Sequence, residues 1–193
     1  MTRRAYLLEA AMTVLVEQGV SALSIRAVAA AAGVSPAQVQ YYYRTKNDLV
    51  LDCYEYAGEQ FLADLEAAEA DTLREMVVRW LPLDERRERR ARVWLAHAAS
   101  AMADPALTQQ AARLDAYLRQ WFVDAGLTEV VAAQLLALID GVTLQCLMLP
   151  MADRQALVER TLEPFLLGRD RPASASPPGR PGEEIPASKK MST

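Results

Sequence analysis

From its first residues to about Gly168 the chain is patterned for helices. Met1-Thr2-Arg3-Arg4 leads straight into an amphipathic segment, and Ser24 then caps a short helix, Ile25–Ala32, in which Ile25, Val28 and Ala29 follow helical spacing. Gly33 supplies the left-handed conformation that ends a helix at low cost, and Val34 turns an apolar group back to the core. Ser35, Pro36 and Gln38 then open a new helix, with proline at the first helical position and a serine–glutamine capping box. On a projection of Pro36–Tyr43, Pro36, Val39 and Tyr43 share one face, Ala37 and Tyr41 lie opposite, and Gln38, Gln40 and Tyr42 flank them.

The next helix starts at Thr45, with Asp48 three residues on. It runs from about Lys46 to Ala68 with apolar Leu49, Val50, Cys53, Tyr56, Ala57, Phe61 and Leu65, long enough to join one end of the molecule to the rest. A helix over about Thr72–Leu81 stops at Pro82, Arg86–Ala103 follows, and Asp104-Pro105 starts one that reaches about Ala125. Gly126 with Thr128 marks a tight connection into a very apolar helix that ends at Pro150. Asp153 is expected to cap the last helix, which stops near Gly168. Beyond Arg171 the Pro-, Ser- and Gly-rich residues show no apolar period, so 171–193 is expected to be a disordered tail.

Within Leu23–Leu49 the residues divide into a packing set and a surface set. The surface set suits a DNA groove: glutamine pairs with an adenine edge, alanine touches a thymine methyl, tyrosine hydroxyls donate to phosphate oxygens, and Lys46 stands at a helix N-terminus where a phosphate sits well. The alternative is a small helical subdomain with surface tyrosines, and for Gln38 capping alone is a sufficient explanation. Against the alternative stand Tyr41-Tyr42-Tyr43 in a row, the glycine turn, and flanking Arg44 and Lys46.

Residues about 5–50 resemble the DNA-binding domain of the tetracycline-repressor (TetR) family of transcriptional regulators. The likeness is carried by Leu7-Leu8-Glu9-Ala10-Ala11 through Leu15 and Gly19, by Ser24-Ile25-Arg26, by Ala29, Ala32-Gly33-Val34-Ser35, and by Tyr41-Tyr42-Tyr43 with Thr45-Lys46 and Leu49. It implies DNA contacts from Ser24, Arg26, Ser35, Pro36, Ala37, Gln38, Gln40, Tyr41, Tyr42 and Lys46. The family often has Gly and Thr where this chain has Ala37 and Gln38, and commonly Tyr in place of Gln40; these base-facing departures leave the operator sequence open.

Composition supports an all-α protein: 52% hydrophobic residues, only 8 glycines in 193 residues, and few β-branched runs. The expected architecture is a three-helix DNA-binding domain over 1–48 and a helical effector-binding and dimerisation domain over 49–170, about nine helices in all. A net charge of −4 argues against a general nucleic-acid binder, but its distribution changes that picture. Residues 1–48 carry +2, whereas residues 49–171 carry −7, which suits binding through one end with the body repelled from DNA. Cys53 and Cys146, far apart in apolar helical contexts, read as reduced thiols of a cytoplasmic protein, not as a disulfide or metal pair. Val130–Leu149 contains Gln134, Asp140, Thr143 and Gln145 and reads as a buried or interface helix, not a membrane span. The mixed-charge run Asp84–Arg90 reads as a solvated face with i,i+4 pairs.

Reading a palindrome requires two heads, hence a two-fold homodimer. The last two helices offer the surface, and Leu135, Ile139, Val142, Leu147, Leu157, Leu162 and Phe165 are the expected interface. The family resemblance further implies a small-molecule effector held in the C-terminal domain, with Trp80, Trp94, His97, Met102, Trp121, Phe122, Cys146 and Met148 as pocket candidates. Asp140, in an apolar helix, needs a partner, either structural or a ligand. No cofactor or metal is expected. An enzyme is the main rival class, but one histidine, no phosphate loop and no metal-ligand or Ser/His/Asp set give it little to build on. A helical ligand-binding or protein-interaction module without DNA activity is the other.

Overall fold

The computed structural model describes residues 1–67 and 72–169; the expected tail over 171–193, Ala68 and position 170 lie outside them. The described residues form nine α-helices and no strand: α1 Arg3–Gln18, α2 Ile25–Ala31, α3 Pro36–Tyr42, α4 Lys46–Ala67, α5 Leu73–Trp80, α6 Glu85–Ala101, α7 Pro105–Asp124, α8 Glu129–Leu147 and α9 Met151–Leu166.

Side-chain caps set most of these starts. Thr2 accepts the Ala5 N–H at 3.2 Å, Thr72 the Glu75 N–H at 3.2 Å, Asp84 the Arg87 N–H at 2.8 Å, and Asp104 the Ala106 N–H at 2.8 Å. Each satisfies a backbone donor that has no partner within its helix. The last helix departs from the expected pattern. It begins at Met151, and Pro150, with φ −54°, precedes it without any side-chain cap. Asp153 therefore lies inside the first turn, where its charge complements the helix dipole but caps nothing.

Two apolar clusters fill the interior. One gathers Leu7, Leu8, Leu23, Val28, Val39 and Leu49 of the first four helices, and extends to Val93, Ala101 and Leu107 of α6 and α7. The other is built from α4, α5 and α7–α9 around Phe122, Leu81, Leu135 and Leu162. The first runs past residue 48 through Val50, Cys53, Tyr54 and Tyr56, so α4 is built into both ends of the molecule. Among the described residues α8 alone is long and apolar enough to cross a membrane, and 39% of its most apolar window is buried in this fold.

The charged run at the start of α6 is more than a solvated face. One i,i+4 pair forms, Arg92 with Glu88, but most of its partners lie on other helices. Arg86 and Arg90 both reach Asp64 of α4, and Arg89 donates to Glu9 Oε2 at 3.2 Å and to Thr13 Oγ1 at 3.2 Å on α1. Glu88 accepts from Arg154 of α9 at 2.9 Å. Sequence spacing along α6 alone could not reveal partners up to 80 positions away.

Candidate nucleic-acid interface and ligand cavity

The helix-turn-helix is built from local chemistry. Ser24 Oγ accepts the Ala27 N–H at 3.2 Å to start α2. Gly33 ends it at φ +63°, where any side chain would be strained, with the Val34 N–H returning to the Ala29 carbonyl at 2.9 Å. Gln38 Oε1 accepts the Ser35 N–H at 3.3 Å at the start of α3. At the start of α4, the Thr45 N–H donates to Asp48 at 3.0 Å while the Asp48 N–H donates to Thr45 Oγ1 at 3.1 Å, a complete capping box.

Long-range bonds then fix how α3 is presented. Val39 is fully buried, and so is most of Tyr43, whose hydroxyl donates to Asp52 Oδ2 at 2.5 Å. The Arg4 guanidinium closes on the same carboxylate, Nε to Oδ2 at 2.9 Å. Tyr6 on α1 donates to the Ala32 carbonyl at 2.8 Å. Burial and the Asp52 hydrogen bond hold the Tyr43 phenol above its ordinary range, while the Asp52 hydrogen bond does the same for Arg4. Cys53, beside this network, is pushed up to about 12 by burial, so it is an inert packed thiol. Sequence patterning missed Arg4, Tyr6 and Asp52 because their partners lie 48 and 26 positions away.

What remains at the surface is the set expected to meet DNA. Arg26, Ser35, Ala37, Gln38, Gln40, Tyr41, Tyr42 and Lys46 are exposed, Tyr41 at 83%. Pro36 is exposed as well and does not share the packed face of Val39, because the first turn of α3 stands proud of the core. Two capping roles match the sequence expectation: Ser24 is half-buried with its hydroxyl occupied by capping, and the side-chain oxygen of Gln38 is engaged with Ser35. Lys46 differs from it, since its Nζ is not free but donates to the Ser21 carbonyl at 3.3 Å.

A cavity of about 290 Å³ opens between α4, α6, α7 and α8, with Trp80 of α5 in its wall. Trp80, Trp94 and His97 line it, as expected from the sequence. The other pocket candidates do not. Trp121 and Phe122 stack behind Trp80, ring centroids 6.0 and 5.2 Å away, as part of the core. Cys146 is fully buried in the same core, while Met102 and Met148 are 85% and 74% exposed. Tyr54, Phe61, Gln110, Arg113, Asp115 and Thr143, none of them anticipated as wall, also face the cavity. Tyr54 packs on the His97 ring at 4.6 Å, and Arg90 lies 5.0 Å over Phe61 while donating to the Arg79 carbonyl at 2.7 Å.

The cavity wall holds polar atoms that nothing in the fold satisfies. Trp80 Nε1, His97 Nε2 and Gln110 Oε1 are buried with no hydrogen bond of good geometry, although the Gln110 side chain lies close enough to the imidazole to favour its protonated form. Burial lowers the His97 pKa, so the ring is neutral at pH 7. Asp140 also lines the cavity, and the structural partner that its place in α8 called for is not found among the described residues. Burial first, then the Asp115 charge, raises its pKa to about 6.

The expected dimer residues sit mostly inside the protomer. Leu135, Ile139, Val142, Leu157 and Leu162 are buried in its own core, with Leu147 and Phe165 half-buried. The five buried side chains are already covered, and different positions of α8 and its C-cap remain open: Val130, Ala137, Leu144 and Met148 are exposed, and a Cβ added at Gly141 would meet nothing.

Residues 7–53 match the family described as bacterial regulatory proteins, tetR family, and residues 69–167 match the BetI-type transcriptional repressor C-terminal family. The chain belongs to the TetR family of transcriptional regulators. The fold agrees. A transcriptional regulator from Rhodococcus sp. Rha1 superposes with a TM-score of 0.75 at 28% identity, over 90% of this chain and 100% of that one. The multidrug binding protein EbrR, solved with ethidium, gives 0.64 at 27% identity over 84% and 98%. A transcriptional regulator from Saccharomonospora viridis in complex with choline gives 0.63 at 25% identity over 86% and 96%. No curated protein matches the chain. A TetR-family assignment accounts for the division of the molecule, since this class of non-enzymatic transcription factors binds DNA with its helix-turn-helix end and small molecules elsewhere.

Proposed function

We propose that the protein is a homodimeric repressor, held on a palindromic operator by the exposed residues around α3 and released when a small molecule enters the cavity between α4, α6, α7 and α8. The observation that carries this reading is the coexistence of two features in one chain. One is a rigidly braced α3 with Ala37, Gln40, Tyr41 and Tyr42 turned outward; the other is a cavity whose wall atoms lack partners. Gln40 and Ala37 read base edges, Tyr41, Tyr42, Arg26 and Lys46 hold phosphates, and Ser24, Ser35, Pro36 and Gln38 position the helix ends at the backbone. Relatives solved with ethidium and with choline support a small-molecule effector.

The second copy packs on α8 and α9 through what the protomer leaves open. Val130, Ala137, Gly141, Leu144 and Met148 follow one another at intervals of seven, four, three and four residues, the spacing of a helix-on-helix seam. Leu147 and Phe165 contribute their uncovered edges, whereas the fully buried leucines support the seam from beneath.

Coupling follows from shared helices. α4 begins at Lys46 in the reading head and presents Tyr54 and Phe61 to the cavity. α6 presents Trp94 and His97 to the cavity and, through Arg89, holds Glu9 and Thr13 of α1; Tyr56 of α4 donates to the same Glu9 at 3.1 Å. A ligand that displaces α6 relative to α4 therefore changes the position of α1 and with it the spacing of the two heads. By linkage, DNA must weaken the ligand as much as the ligand weakens DNA. Such a regulator works in the cytoplasm, where Cys53 and Cys146 stay reduced, and carries out no reaction of its own.

The test is fluorescence anisotropy with duplex DNA taken from upstream of its own gene, together with sedimentation of the free protein. Salt-sensitive, sequence-selective binding by a dimer is expected. A monomer at micromolar concentration, or binding that does not distinguish this DNA from random duplex, refutes the reading.

A further inference from the structure

We infer that the cavity is built for a protonated amine with an apolar, ring-bearing body; this rests on the reading of the cavity as the effector site and names the chemistry that site selects. Three observations point the same way. First, the carboxylate of Asp140 faces the cavity with no hydrogen bond or ion pair among the described residues, although α8 takes it well out of water. An ionised carboxylate drawn out of water is destabilising unless paired, so a partner is expected from outside the chain. Second, other charges at the wall are already matched. Arg90 is committed to Asp64 and the Arg79 carbonyl, and Asp115 to Arg119. The unpaired remainder is acidic, with Glu55, Glu59 and Asp140 against Arg113 at the exposed mouth.

Third, the orphaned wall atoms ask for N–H groups. Gln110 Oε1 can only accept, and its one near neighbour, the His97 imidazole more than nine-tenths buried, gives it no well-formed bond. Trp80 Nε1 is the one orphan that can only donate. A quaternary ammonium brings charge without donors, and a neutral ring brings neither. An ammonium bearing hydrogens brings both, while Trp80, Trp94 and Tyr54 give the wall an aromatic character that suits its body. The volume of about 290 Å³ holds a two-ring compound. An anionic ligand would have only Arg113 to meet and would face three unpaired carboxylates.

Four matched probes decide between these chemistries: 1-naphthylmethylamine, its N,N,N-trimethyl analogue, 1-naphthylmethanol and 1-naphthylacetate. Each is titrated calorimetrically into the full chain and into Asp140→Asn at pH 7.5, and each is then added to the protein–operator complex. The amine is expected to bind at least tenfold more tightly than any of the other three. Asp140→Asn is expected to remove that preference while binding the alcohol as the parent does, which shows that the variant is folded. Equal binding of the alcohol, the acetate or the trimethyl analogue overturns the inference. So does a preference that survives in Asp140→Asn, or no binding of any probe. An amine that binds with the expected preference but leaves the operator complex intact supports the ligand class and refutes the effector reading instead.

Discussion

Replacing Arg154 by methionine should cost the protein about 3 kcal/mol. Arg154 is the most buried charge among the described residues, 4% exposed, and its guanidinium ties three segments together. Nη1 donates to the Pro82 carbonyl at 2.8 Å and to Glu88 Oε2 at 2.9 Å, and Nε donates to the Leu149 carbonyl at 3.2 Å. Methionine keeps the apolar stem but leaves two carbonyls and a carboxylate without their donor. Breaking a buried pair by removing one partner costs about 3–5 kcal/mol. Glu88 retains Arg92, whose Nε lies 3.0 Å from Oε1, so the lower end applies. For a chain of this length about 3 kcal/mol lowers Tm by about 6–12 °C. Circular dichroism melts at pH 7 measure it, with Arg92→Ala, an exposed i,i+4 pair worth about 0.5 kcal/mol, as the reference. Arg92 first and Arg154 second hold the Glu88 pKa below its ordinary value of 4.5. That contribution is present above pH 4.5 and lost as pH falls through the folded value, so the gap between parent and variant should narrow in acid. A variant that melts within about 2 °C of the parent refutes the account of how α6 is anchored to α9.

Three other outcomes follow from the same geometry. Asp140 has its pKa raised from 3.8 to about 6, so its cost to the empty protein is absent below pH 3.8, grows through this window and is complete above pH 6. Asp140→Asn should therefore melt with the parent at pH 3.5 yet be more stable by about 1–2 kcal/mol at pH 8, the full shift being discounted for partial solvent access; equal melts at pH 8 would contradict it. The groups facing Asp140 across the cavity are Glu55 and Glu59 of α4, Arg90 and His97 of α6, and Arg113 and Asp115 of α7, so His97→Gln is the control for titration near neutrality. Gly33→Ala, in open space but at φ +63°, should destabilise the protein by about 1 kcal/mol through backbone strain alone, read by urea unfolding. Lys46→Ala should reduce the slope of log K against log salt by about 1.8 per dimer, one phosphate from each head; an unchanged slope would leave Lys46 to its Ser21 bond alone.

The reading head was legible because its signals are local. Ser24, Gly33, Ser35 with Gln38, and Thr45 with Asp48 act within a few residues of themselves, and Val39 and Tyr43 fall on the buried face that their spacing gives. Pro36, Asp153 and the Asp84–Arg90 run were less legible. Pro150 starts α9 through its own φ before Asp153 is reached, and the arginines of α6 pair across distances in sequence that no period records. The cavity was half legible for a related reason. Helical spacing says which residues of α5–α8 turn inward, and Trp80, Trp94, His97, Trp121, Phe122 and Cys146 all do; whether inward means packed against a neighbour or beside a void depends on how four helices meet. The same limit applies to α8, where Leu135, Ile139 and Val142 go to the protomer's own core and the smaller residues between them remain open. Asp140 is the informative exception, since an acid set in an apolar helix already announces a missing partner through the residues around it in the chain.

The most direct test measures affinity for duplex DNA from upstream of its own gene, by anisotropy across a salt series, with and without saturating 1-naphthylmethylamine. The account predicts nanomolar to tens-of-nanomolar binding by a dimer at physiological salt, a steep salt dependence, and a weakening of at least tenfold when the amine is present. Binding that is equally tight to unrelated DNA would contradict the assignment of Ala37, Gln40, Tyr41 and Tyr42 as the reading surface.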